Sequence, residues 1–146
     1  MSLLSQSTVS NKISLNGVGI HTGKKVSLNI LPASPNSGII FKRVDLKDNN
    51  IVIPNFENVS EATLCTTISN QYGVKVSTIE HLMAAFLGLG IDNAIVELDS
   101  QEVPILDGSA MNFVKVIKET GLKNSDIPIK LIKINNSVEI EEDQKF

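Results

Sequence analysis

A carboxylate and an imidazole stand side by side at Glu80 and His81, within the run Val76-Ser77-Thr78-Ile79-Glu80-His81-Leu82-Met83-Ala84-Ala85-Phe86. Their chemistry suits hydrolysis, because a carboxylate can take a proton from water and a neutral imidazole can donate to a metal ion. Thr78, Glu80 and His81 crowd the first turn of a predicted helix. Residues 82–89 carry no polar side chain, which predicts a helix buried nearly all round. Polar groups at the mouth of such a helix are costly unless something uses them. The local pattern also supports a purely structural role. Ser77-x-x-Glu80 has the form of a capping box, with Ser77 on the N3 amide and Glu80 reaching back, stabilising by about 1 kcal/mol. Spacing alone does not choose between the two.

At about 100° per residue, Ile79, Leu82, Met83 and Phe86 form one apolar stripe. Glu80, His81, Ala84 and Gly88 fall opposite, where small residues let another element approach closely. Gly90, in Gly88-Leu89-Gly90-Ile91-Asp92-Asn93, is placed to end the helix. The other histidine, His21, lies in Gly17-Val18-Gly19-Ile20-His21-Thr22-Gly23. These glycines lack the G-x-G-x-x-G spacing and precede a period-two strand, so the context of a dinucleotide loop is absent. The run reads as a hairpin connection that displays His21. Taken alone, His21 is an exposed turn residue, Cys65 a small core residue and Asp107 a turn or cap residue. Glu97, Asp99 and Glu102 read as an acidic cluster at a solvated strand end.

Periodicity supplies the elements that must position these residues. Residues 9–15 and 25–31 alternate as strands, with Val26, Leu28 and Ile30 on one face. A turn over residues 32–38 leads to a strand at 39–44, a polar loop at 45–50 and a short edge strand at 51–53, stopped by Pro54. Residues 63–72 are rich in β formers, and residues 94–98 form a strand. A second helix covers residues 110–120, with the stripe Ala110, Phe113, Val114 and Ile117, and stops at Gly121. Two helices and about six strands in this order predict an α+β fold, a mainly antiparallel sheet with two helices packed on one face. Residues 129–134 and 138–140 read as a hairpin turning at Asn135-Asn136, with no layer beneath it. Residues 1–126 therefore form one domain, and residues 127–146 the start of a second, truncated one.

With 146 residues, 42% of them hydrophobic, the chain can build one core but not two of ordinary size. A net charge of −3, dispersed along the chain, and the absence of Trp argue against a nucleic-acid partner. The single Cys65 rules out an internal disulfide and suits a reducing compartment. No apolar run approaches the length of a transmembrane segment, and the first residues lack a signal-peptide pattern. A cytoplasmic protein is expected.

Five blocks in order carry a resemblance: Gly17-Val18-Gly19-Ile20-His21-Thr22-Gly23-Lys24-Lys25, Leu64-Cys65-Thr66, Ser77-Thr78-Ile79-Glu80-His81-Leu82, residues 88–93, and Glu102-Val103-Pro104-Ile105-Leu106-Asp107-Gly108-Ser109-Ala110. Across essentially its whole length the chain resembles the N-terminal half of the UDP-3-O-acyl-N-acetylglucosamine deacetylase family, zinc amidohydrolases of lipid A biosynthesis in Gram-negative bacteria. The resemblance implies the first of two similar α+β domains, packed through their helices with Zn2+ and a UDP-sugar acyl substrate between them. It makes His81 a zinc ligand and Glu80 the general base, and it assigns substrate contacts to His21, Leu64 and Cys65. The family's other two zinc ligands (a His and an Asp), its general-acid His, its oxyanion-stabilising Thr and its acyl-chain passage belong to the second half. The implied reaction is attack of water on the acetamide carbonyl, protonation of the departing amine and release of acetate. A catalytic zinc keeps three protein ligands and one open position. Glu80, about 100° around the helix from His81, can serve the water without being a ligand.

This reading expects the 146-residue chain to be inactive alone and to bind zinc weakly. It also expects self-association through the helical face that the missing C-terminal domain would cover. The alternative is a non-catalytic binding or structural domain that retains the fold and holds a partner on its glycine loop or exposed face. A third reading assembles the zinc site between two copies of the chain.

Overall fold

The computed structural model describes residues 4–139, which contain ten strands and two α-helices. The alternation at residues 25–31 produces the strand at the centre of the architecture. β3 (Lys25–Pro32) turns Val26, Leu28 and Ile30 into the core and leaves the residues between them exposed or half-buried. It pairs antiparallel with β2 (Ile13–Val18) on one side and with β9 (Ala94–Leu98) on the other. β4 (Ile39–Arg43) runs parallel to β9, and β5 (Ile51–Val52) forms the predicted edge. The order β2-β3-β9-β4-β5 thus holds one parallel pair in a mainly antiparallel sheet.

The two helices, α1 (Glu80–Leu89) and α2 (Met111–Thr120), cover this sheet. Leu82, Ala85 and Phe86 of α1 and Phe113 and Ile117 of α2 join Leu28, Ile30, Phe41, Val96 and Leu98 in one buried cluster. The fold is the expected α+β layer. Both helical stripes lie where periodicity put them, and Gly90 ends α1 in the left-handed conformation at φ 68°. The burial of α1 differs from expectation. Ala84, Leu87 and Gly88 are exposed, Leu87 by 85%. A helix lying on a sheet buries only the stripe that faces it, whatever the composition of its other side.

Two smaller sheets complete the chain. β1 (Ser5–Val9) pairs antiparallel with β10 (Leu122–Pro128). The single strand expected over residues 9–15 is therefore two strands in different sheets, separated by a bend from which the Ser10 N–H donates to the Gly121 carbonyl at 2.9 Å. β6 (Val59–Glu61), β7 (Thr67–Ser69) and β8 (Lys75–Ser77) form the third sheet. Within the β-rich stretch 63–72 only the β7 residues are strand. Arg43, at the end of β4, joins this sheet to the main one. Its guanidinium clasps Asp45 at 2.8 and 2.6 Å and donates to the Lys75 carbonyl at 2.9 Å. The expected C-terminal hairpin is not formed among the described residues. Residues 129–139 contain no strand, and its last residue, 140, lies with 141–146 outside them.

The contrast between two neighbours on α1 is measurable. Phe86→Ala removes a ring that is 1% exposed and is expected to lower stability in urea titration by about 3–5 kcal/mol. Leu87→Ala should stay within about 0.5 kcal/mol of wild type.

Candidate active site

The entry into α1 is built by tertiary contacts, not by a local cap. Ser77, the last residue of β8, donates its N–H to the Gln101 carbonyl at 2.8 Å and accepts from the Val103 N–H at 3.0 Å. Thr78 then turns the chain with φ 58°, a left-handed conformation that costs a β-branched residue about 1–3 kcal/mol. Its hydroxyl, in a side chain only 2% exposed, donates to Glu102 Oε1 at 3.0 Å. Ile79 is the N-cap and makes no side-chain capping bond. The capping box is therefore absent. Glu80 does not reach back to Ser77; its Oε2 accepts the Thr66 N–H at 3.0 Å instead. The Ser77 amide, already bonded to Gln101, has nothing left to offer it.

Glu102 is the largest departure from expectation. Read as part of a solvated cluster, it is 0% exposed. Oε1 accepts the His21 N–H at 2.9 Å as well as the Thr78 hydroxyl, and Oε2 accepts the Thr22 N–H at 2.8 Å and the Thr22 hydroxyl at 2.6 Å. Burial pushes this carboxyl's pKa up and is the largest single influence. The hydrogen bonds from His21, Thr22 and Thr78 together outweigh it and hold the pKa below its ordinary value. The glycines of the loop make room for the arrangement. A Cβ at Gly19 would overlap the Glu102 carboxylate, and one at Gly17 would lie 2.7 Å from Pro104 Cβ.

The structure thus gathers three separate stretches around the start of α1. Glu80 and His81 open the helix, the Leu64-Cys65-Thr66 loop meets Glu80 through the Thr66 amide, and the His21 loop meets Thr78 through Glu102. His81 is half-buried, and its Nδ1 is shielded from solvent with no hydrogen-bond partner among the described residues. Such an atom suits a histidine whose bonding is completed from outside these residues, by a metal ion among other groups. No group of three or more His, Cys, Asp or Glu side chains gathers to hold a metal among the described residues. Among the described residues the start of α1 offers one nitrogen donor, not a closed site. His21 is exposed. Leu64 is 88% exposed at φ 65°, and Cys65 is half-buried with Sγ 3.7 Å from Thr67 Oγ1. Asp107 is the turn residue it was expected to be, accepting the Ser109 N–H at 3.0 Å. Sequence reasoning gave no role to Thr22, Thr66 or Glu102, and it placed Thr78 in the first helical turn, not on the left-handed turn before it. The one signal that could have found Glu102 is its position at the head of the fifth resembling block.

A family model described as UDP-3-O-acyl N-acetylglycosamine deacetylase matches residues 6–146. The chain belongs to this family. Among its relatives, proteins named UDP-3-O-acyl-N-acetylglucosamine deacetylase from Shewanella baltica and Shewanella denitrificans are each 44% identical over 144 residues. The protein of that name from Shewanella oneidensis is 43% identical over the same length. Each alignment covers 99% of this chain and 47% of the relative, so the chain spans about half the length of these curated family members.

Two outcomes follow for the Glu102 network. Gly19→Ala should cost about 1–3 kcal/mol, as overpacked sites do, read as a lower urea midpoint at unchanged m-value. The lowered pKa of Glu102 means that its contribution is complete above the ordinary value of 4.5 and is lost as pH falls through the folded-state value. The stability gap between wild type and Glu102→Gln, measured from about pH 7 to about pH 3, should therefore narrow on acidification.

Proposed function

We propose that this chain is the N-terminal half of a zinc-dependent deacetylase that hydrolyses the acetamide of UDP-3-O-acyl-N-acetylglucosamine in lipid A biosynthesis. Family membership supports the substrate class. The observation that carries the reading is the pair opening α1: Glu80, with Oε2 held by the Thr66 N–H, beside His81 with its unpaired ring nitrogen.

Zinc, when bound with His81 as one ligand, would polarise the acetamide carbonyl and lower the pKa of water. The protein's own share of the chemistry falls to Glu80. With Oε2 engaged, Oε1 takes the proton of the water that attacks the carbonyl carbon, and holds it. As the C–N bond breaks, acetate leaves and the amine is protonated by a general acid, which we assign to the portion of the protein outside this chain. His21, Leu64 and Cys65 contact the substrate. Ile20 and Leu64, 58% and 88% exposed, offer it apolar surface on the two flanking loops.

In this reading residues 127–146 begin the second of two similar domains. The exposed Ala84, Leu87 and Gly88 of α1 are the face on which that domain packs, and through which an isolated chain would self-associate. No helix among the described residues is long and apolar enough to cross a membrane. We assign the protein to the cytoplasm, a reducing compartment that suits the unpaired Cys65.

In the complete protein, Glu80→Gln is expected to cut acetate release by about 100- to 10,000-fold while zinc content is unchanged. His81→Ala should lower both, and the 146-residue chain alone should release no acetate. Full acetate release by Glu80→Gln would overturn the general-base role of Glu80, and no acetate release by the complete wild-type protein would overturn the proposal and leave a non-catalytic binding domain.

A further inference from the structure

We infer that Glu102 is the positioning residue of this site, its buried carboxylate setting the glycine loop at His21 and the turn that delivers Glu80 at a fixed separation. The consequence for catalysis rests on the deacetylase reading; the positioning itself does not. One oxygen, Oε1, takes both the His21 N–H at 2.9 Å and the Thr78 hydroxyl at 3.0 Å, so neither group can shift without lengthening a bond to the same atom. Oε2 holds Thr22 twice, by its N–H and its hydroxyl. The backbone behind the carboxylate is anchored as well. Gln101 and Val103 bond Ser77 on either side of Glu102, and the Ile105 N–H donates to the Val18 carbonyl at 3.0 Å.

The lever to Glu80 is short. Thr78 occupies a strained left-handed conformation, and its bond to Glu102 is the side-chain contact that holds it there. Two residues later Glu80 opens the helix and receives the Thr66 N–H. Glu102 is fully buried, so it acts through Thr78 and His21 and not on a substrate. The site is specific for glutamate. Aspartate is one methylene shorter. Glutamine replaces one oxygen by an NH2 group, which must then face a backbone N–H that can only donate, from His21 at one position or Thr22 at the other.

Two variants of the complete protein test this, Glu102→Gln and the near-isosteric Thr78→Val. The first readout is hydrogen exchange at the Thr66 amide, which bonds Glu80 and touches neither substituted atom. In both variants it is expected to accelerate about tenfold or more. The second readout is the division between kcat and KM with UDP-3-O-acyl-N-acetylglucosamine. Thr78→Val should lower kcat about tenfold with KM within about twofold, since the His21 bond remains, and Thr78→Ser should restore kcat. Glu102→Gln should also raise KM, by releasing the His21 loop. If Glu102→Gln does not fold, Thr78→Val decides alone. A folded Thr78→Val protein with wild-type exchange at Thr66 overturns the inference, whatever its activity. Accelerated exchange in a protein whose wild type releases no acetate supports the positioning role and sinks the deacetylase reading instead.

Discussion

A carboxylate without water around it must be surrounded by donors or give up its charge. Desolvation costs an ion several kcal/mol in a protein, and each hydrogen bond to a charged group returns about 1.5–3 kcal/mol. Four donors, from His21, Thr22 and Thr78, keep Glu102 ionised and draw together stretches of chain that lie 81, 80 and 24 residues away in sequence. The close approach of the loop follows from the same constraint, because Gly19 leaves room for the carboxylate and Gly17 for Pro104.

The start of α1 inherits its geometry from this arrangement. A helix that began with a local cap would set Glu80 by its own backbone. This one begins after a strained threonine, with an N-cap residue that offers no side chain to the orphan amides. Its first carboxylate is turned to the Thr66 amide on a neighbouring loop. A second residue with positive φ, Leu64, stands on that same loop. Strain of about 1–3 kcal/mol per residue persists only where the surroundings over-determine the conformation. Here the β8 pairing with residues 101–103 and the bond to Glu102 do so at Thr78.

The candidate site stands at the edge of a closed core. The sheet and the inner stripes of both helices form that core. The outer face of α1, which presents apolar Leu87 and small Ala84 and Gly88, continues from the half-buried His81. A surface hollow of about 530 Å³ lies elsewhere, among Gln6, Pro32, Asn93 and Lys123. Glu80 and His81 are both half-buried at the start of that α1 face.

Local pattern determined a good deal of this protein. Alternation at residues 25–31 and 94–98 marks central strands because one face of each must be apolar. The stripes of α1 and α2 are legible because a helix resting on a sheet needs one, and Glu80 and His81 stand out because polar residues interrupt an apolar run. Tertiary structure alone decided what those residues touch. Ser77 and Glu80 match a capping box, yet a strand partner takes the Ser77 amide and a distant loop takes Glu80. Val9, Ile13 and Leu15 are in phase for one strand, interrupted only at Asn11, yet two sheets divide them. Glu102 sits among acidic neighbours in sequence, but its environment comes from chain far away. Periodicity reports which side of an element faces the core. It carries no record of which donor arrives from a distant residue, and for a buried charge that donor decides everything.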